Sequence, residues 1–179
     1  MSKRPRSAPA KAPPSKAAPS KAALRRVALL VFDFDGVMTD NRVLVMEDGR
    51  EGVFCNRSDG LGIGLLRDAG LPMLVMSKER NPVVAARCRK LRLDCVQGVD
   101  DKVTELRRRC GDLGLALARV AYVGNDVNDE ACMRAVGMPI AVADAWPAAR
   151  RAAKFITTRP GGHGAVREIC DWFLGALSK

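Results

Sequence analysis

The run Val27-Ala28-Leu29-Leu30-Val31-Phe32 ends abruptly in Asp33-Phe34-Asp35-Gly36. An unbroken apolar stretch of that length reads as a buried strand. Two carboxylates separated by one residue cannot prolong the burial, because an uncompensated charge in a core is costly. The strand must stop where they begin. The two acids then either cap a turn or hold a cation and do chemistry.

From Gly36 onward, short apolar runs alternate with longer amphipathic ones, which is the signature of strands and helices wound around a parallel sheet. Val43 to Met46 and Gly52 to Phe54 form a predicted hairpin around Asp48-Gly49. A helix is expected from about Ser58 or Asp59, with Leu61, Leu65 and Leu66 on one face. Leu71 to Met76 is a second strand, and Asn81-Pro82 opens a helix to Leu91 with Asn as N-cap. Asp94 to Val96 is a third strand, followed by a helix from Lys102 to about Cys110. Arg119 to Val123 is a fourth strand, followed by a helix to about Val136, a weak fifth strand over Pro139 to Val142, and a last helix after Gly164. The predicted fold class is α/β, a Rossmann-like parallel sheet flanked by helices with a β-hairpin inserted after the first strand.

Strands one, two and four end in polar residues: Asp33, Ser77 and Asn125. In an open parallel sheet those ends share one rim, where ligands bind. Lys102, at the start of a helix, falls beside them. Asp33, Asp35, Asn125 and Asp126 offer hard oxygen ligands of the kind Mg²⁺ takes. Lys102 adds a fixed positive charge and Ser77 a hydroxyl, which together suit a phosphoryl group. Asp33 is then the candidate nucleophile, and Asp35 the candidate acid and base.

The chain has 179 residues and a formal net charge of +10. Much of that charge lies in residues 1–26, a Pro-, Ala-, Ser- and Lys-rich stretch without acids that is expected to be a disordered tail preceding a domain over 27–179. Such a tail is a solubilising extension or an arm for nucleic acid or an acidic partner, with composition favouring the former; its prolines also oppose a transit-peptide helix. No apolar run is long enough to span a membrane, so a cytoplasmic protein is expected. Six cysteines without C-x-x-C spacing, each in or beside an apolar pattern, read as buried free thiols rather than disulfides or a zinc site.

Asp33-Phe34-Asp35-Gly36-Val37-Met38-Thr39-Asp40 resembles the first motif of the haloacid dehalogenase superfamily, in the form seen in phosphatases of 3-deoxy-2-ulosonic acid phosphates. Ser77 resembles the second motif, Lys102 the third, and Gly124-Asn125-Asp126-Val127-Asn128-Asp129 the fourth. With Asp59-Gly60-Leu61-Gly62-Ile63 and Gly161-Gly162-His163-Gly164-Ala165-Val166-Arg167-Glu168, the likeness extends over about residues 27–175. It points to the subgroup containing 3-deoxy-D-manno-octulosonate 8-phosphate phosphatase, nonulosonate 9-phosphate phosphatases and the phosphatase-like domain of acylneuraminate cytidylyltransferases. Ser77 to Val84 looks more like the sialic-acid branch. The resemblance implies a Mg²⁺-dependent phosphatase without a cap domain, acting through an aspartyl-phosphate, with metal held by Asp33, Asp35, Asn125 and Asp126 and phosphate by Ser77 and Lys102. It also implies a homotetramer in which a neighbour restricts access to the site.

Two positions depart from that pattern. Asn125 stands where the family usually has an acidic metal ligand, which lends weight to an alternative reading, a weakly active or inactive oligomerisation module tied to sialic-acid activation. His163, the only histidine, stands where the family often has arginine. His163 either enters a neighbouring active site to touch substrate or is a solvated loop residue, Arg57 either binds the sugar acid's carboxylate or is a surface arginine, and Asp129 is a candidate support for Lys102 or for a metal-bound water.

Overall fold

The computed structural model describes residues 17–178. Among them, eight strands and seven α-helices run in the order α1 (Lys21–Leu24), β1 (Leu29–Phe32), β2 (Thr39–Val45), β3 (Glu51–Cys55), α2 (Arg57–Asp68), β4 (Met73–Met76), α3 (Val83–Leu91), β5 (Asp94–Val96), α4 (Lys102–Asp112), β6 (Val120–Gly124), α5 (Glu130–Ala135), β7 (Met138–Ala141), α6 (Pro147–Ala152), β8 (Phe155–Ile156) and α7 (Ala165–Leu177). Six strands form one sheet in the order β5-β4-β1-β6-β7-β8, and every pairing in it is parallel. The chain steps one way from β1 through β4 to β5, then crosses back to β6 and steps the other way. The strand order reverses at β1 and β6, which is where such sheets form a ligand crevice.

β1 and β4 are buried at every position because helices cover both faces of the sheet. Helices α1, α2, α3 and α7 contact one another, as do α4, α5 and α6, and these two groups are the outer layers. The hairpin β2–β3 stands apart from the sheet, with Val43 opposite Val53 and Val45 opposite Glu51. It is the one insertion between β1 and α2, and the described residues contain no cap domain.

The start of the domain differs from expectation. Residues 21–26 are folded: Ser20 caps α1, Leu24 is 4% exposed, and Arg25 Nε donates to Ala176 O at 2.7 Å, fixing this segment against α7. One apolar residue in a Pro- and Lys-rich stretch makes no periodicity, yet it suffices as an anchor. Residues 17–20 lead into α1 without regular structure, with Pro19 buried, and residues 1–16 of the expected tail lie outside the described residues. α6 and β8 were not expected, since one is Ala- and Arg-rich and the other has two residues. α2 starts earlier than expected because Asn56 caps it, accepting Ser58 N at 2.8 Å. α3 starts at Val83, one residue after Pro82, and Asn81 Oδ1 still accepts Val83 N at 3.0 Å. All six cysteines are free, with Cys88 in α3, Cys110 in α4, Cys132 in α5 and Cys170 in α7 buried. Among the described residues no helix is long and apolar enough to cross a membrane.

Candidate active site

Asp33 follows the last residue of β1, and its own N–H still bonds Val123 O on β6 at 2.9 Å. The side chain is thereby fixed at the sheet's rim and is 3% exposed. Lys102 opens α4 from the far side of β4 and β5, and its Nζ reaches Asp33 Oδ1 at 2.6 Å and Asp129 Oδ1 at 2.8 Å. Phe34 N donates to the same Asp33 Oδ1 at 2.7 Å. Both hydrogen bonds therefore fall on one oxygen, and Oδ2 has no protein donor among the described residues.

Asp129 supports Lys102, as one of its expected roles had it. Its Oδ1 also accepts the Tyr122 hydroxyl at 2.8 Å, while Oδ2 accepts Asn125 N at 2.9 Å and Asp126 N at 3.4 Å. A Cβ on Gly124 would lie 2.5 Å from Asp129 Cβ, so glycine is required for Asp129 to approach β6 this closely. Tyr122 was missed by sequence reasoning, because a tyrosine inside a buried strand looks like core; its place two residues before Gly124 is the one available signal.

Two buried acids share one buried cation here, and the charges do not balance. Burial pushes Asp33 up to about 8, the Asp129 charge adds to the shift, and Lys102 opposes it. Burial works against the Lys102 ammonium, but Asp33 and Asp129 outweigh it and hold the lysine above its ordinary value. Asp35 is half-buried and is also raised, by burial first and then by the nearby Glu79 charge.

Asp33, Asp35, Asn41, Lys78, Glu79, Arg80, Asn125, Asp126 and Asn128 line a cavity of about 430 Å³ at this rim. The turn after Asp35 is tight. Gly36 has φ +76°, and a Cβ there would lie 2.0 Å from Asn125 Nδ2, so the Asn125 carboxamide occupies the space that a side chain would take. Thr39 Oγ1 accepts Gly36 N at 3.1 Å and Asn41 N at 3.2 Å and ties the turn off. Beyond it, a groove of about 310 Å³ runs from Asp35, Asn41 and Glu79 along the hairpin to Glu51, Val53 and Asn81.

Ser77 is 1% exposed, and its hydroxyl accepts Glu79 N at 3.0 Å, so it shapes the loop lining the cavity as well as standing beside it. Val99 N bonds Ser77 O at 3.1 Å and Gly98 N bonds Glu79 O at 2.9 Å, sewing that loop to the one before Lys102. Two sequence candidates do not line this chain's own cavity. Arg57 is exposed at the start of α2 and does not line the cavity. His163 lines a different cavity, of about 540 Å³, with Asn56, Ser58 and Arg167 among its neighbours.

A model of the haloacid dehalogenase-like hydrolases matches residues 81–169. The 3-deoxy-D-manno-octulosonate 8-phosphate phosphatase of Escherichia coli K12 is 34% identical over 154 residues, 86% of this chain and 82% of the relative. The chain belongs to the haloacid dehalogenase-like hydrolases. Among solved structures, a protein of Streptomyces avermitilis assigned to the HAD hydrolase family is 51% identical with a TM-score of 0.84, over 90% of this chain and 91% of that one. The 3-deoxy-D-manno-octulosonate 8-phosphate phosphatase of Moraxella catarrhalis, solved with magnesium, phosphate and KDO, is 31% identical with a TM-score of 0.84, over 87% and 90%.

Proposed function

We propose that this phosphoric monoester hydrolase removes phosphate from a 3-deoxy-2-ulosonic acid phosphate, an octulosonate 8-phosphate or a nonulosonate 9-phosphate, through an aspartyl-phosphate on Asp33. The observation that carries the proposal is the asymmetry of the Asp33 carboxylate: Oδ1 is anchored by Lys102 and Phe34 N, and Oδ2 is left without a protein donor in a residue that lines the cavity. Oδ2 attacks phosphorus as the bond to the sugar oxygen breaks. Asp35 donates its proton to the departing alkoxide, then takes one from the water that attacks the phosphoenzyme and frees inorganic phosphate. The raised Asp35 carboxyl keeps a proton for the first step at higher pH than an ordinary aspartate. Lys102 neutralises charge as it builds, and the Ser77 hydroxyl is a donor for a phosphate oxygen.

The residues fit a magnesium ion. Asp33 and Asp126 supply carboxylates, Asn125 an amide oxygen and Asp35 a backbone carbonyl, an all-oxygen set that leaves room for water ligands. Burial first, and then the Asp129 charge, raises Asp33, and a divalent cation would oppose both by favouring the ionised carboxylate. Bound magnesium supplies positive charge to the phosphate oxygens and keeps the carboxylate ionised.

The sugar-acid assignment is supported by the Escherichia coli and Moraxella catarrhalis relatives and by the groove that continues the cavity along the hairpin. A homotetramer is supported by the hairpin itself, where Val43, Leu44, Val45 and Phe54 are all more than half exposed. The free thiols suit a cytoplasmic enzyme. Phosphate release from octulosonate 8-phosphate, nonulosonate 9-phosphates and common sugar phosphates, with Mg²⁺ and with chelator, tests the proposal. Metal-dependent turnover of one ulosonate is expected. No turnover from folded protein would overturn it and favour the inactive module.

A further inference from the structure

Asp59 is a buried acid that the proposed reaction does not use. It stands in the first turn of α2, is 1% exposed, and does not line the Asp33 cavity. Its Oδ1 accepts Arg167 N at 2.8 Å. That N–H belongs to the opening turn of α7, whose N-cap is Gly164, a residue with no side chain to cap the helix. The cap comes instead from a residue 108 positions away. Oδ2 has no hydrogen-bond partner among the described residues, so the fold tolerates an unsatisfied buried oxygen to keep this carboxylate here.

The segment just before α7 gives that carboxylate a use. A Cβ on Gly161 would lie 1.9 Å from Gly36 O, and a Cβ on Gly162 would lie 2.3 Å from Asp40 N. Gly162 N donates to Val37 O at 3.0 Å, and Gly161 N donates to Asp144 Oδ1 at 2.9 Å. Backbone is pressed on backbone, with no side chain between to absorb a displacement. A shift of the α7 start is therefore passed to the turn that carries Asp35.

We infer that Asp59 is a positioning residue for catalysis: by holding the first turn of α7 it seats Gly161 and Gly162 against the Gly36–Asp40 turn, and so fixes Asp35 relative to Asp33. The inference rests on the proposed phosphatase reaction. Asp59 meets neither substrate nor reacting atoms and acts only through the glycine segment.

The test is kcat and KM for the best ester of the panel, well below the unfolding temperature, in wild type, Asp59→Asn and Asp59→Ala, with backbone hydrogen exchange over residues 161–167. Asn keeps an acceptor oxygen of the same shape and is expected to hold kcat within about two-fold, while Ala lowers it about ten-fold or more at nearly constant KM and speeds exchange. Wild-type kcat in the Ala variant overturns the inference even if its melting temperature falls. So does an Asn variant as impaired as Ala, which would assign the effect to charge. Should Ala not fold, Gly161→Ala presses on the Gly36 carbonyl without touching Asp59; it is expected to lose kcat likewise, and wild-type kcat there overturns the inference too. A wild type that hydrolyses no ester sinks the phosphatase reading instead, so the two failures are distinct.

Discussion

At the rim of the sheet, Asp33, Lys102 and Asp129 are 3%, 3% and 0% exposed, and the lysine donates to both acids; on the hairpin, Val45 and Phe54 are each 60% exposed. The first region draws on β1, α4 and the turn after β6, and nearly every polar atom in it is answered from within the chain. The second is two strands paired with each other, their apolar side chains turned to solvent. The contrast separates the chemistry from access to it. In the proposed reaction the protein groups at Asp33 come from one chain, whereas the groove that continues the cavity is walled by the hairpin, the part of the fold that this chain leaves uncovered.

The sharpest way to break that division is Asp33→Asn, which is expected to cut kcat by at least about a thousand-fold while leaving the assembly unchanged, read by phosphate release and light scattering. Lys102→Met comes next. It should cost about a hundred-fold or more in kcat, and it leaves Asp33 and Asp129 buried without their cation, a loss of about 3–5 kcal/mol in denaturant unfolding. On the other side of the comparison, Phe54→Lys with Val45→Lys should lower the mass in solution and raise KM by about ten-fold, with kcat nearly intact, since interface loss of about 1.4 kcal/mol is ten-fold in an equilibrium constant. A fall in kcat as large as that of the Lys102 variant would erase the distinction between the regions.

The effect that is smallest per step of the variable changed concerns pH. In metal-free protein Asp33 titrates near 8 against an ordinary 3.8, so between those values the folded state holds a proton that the unfolded chain does not. Stability from this group is full below the ordinary value and is lost as pH rises toward about 8, with a slope on the order of 1 kcal/mol per pH unit. Melting temperature measured in chelator should fall with pH over that range, and the fall should be shallower in Asp33→Asn.

Much of this centre was legible beforehand because each of its parts sits where a strand ends or a helix begins, and polar residues there interrupt apolar runs. Asp33, Ser77, Lys102 and Asn125 were all found that way. Tyr122 was not, since its hydroxyl matters only once Asp129 folds back onto β6. Nor was α1, which docks through a buried leucine and the Arg25 bond to Ala176 O on α7. Gly161 and Gly162 touch the backbone of the first motif, and the adjacent His163 lines another cavity of the same chain, so its proposed place in a neighbouring active site is a matter of assembly that sequence neighbours do not reveal. Contacts made by backbone leave glycines as their trace, and a glycine does not say what it approaches.

The placement of the cysteines gives the fold its own set of clocks. Four buried thiols stand one to a helix on α3, α4, α5 and α7, two in each outer layer. A thiol reagent reaches each of them only when its helix lifts from the sheet, so the four labelling rates time the opening of each layer separately. Equal rates would mean that the layers part from the sheet together; unequal ones would show which side of the molecule breathes first.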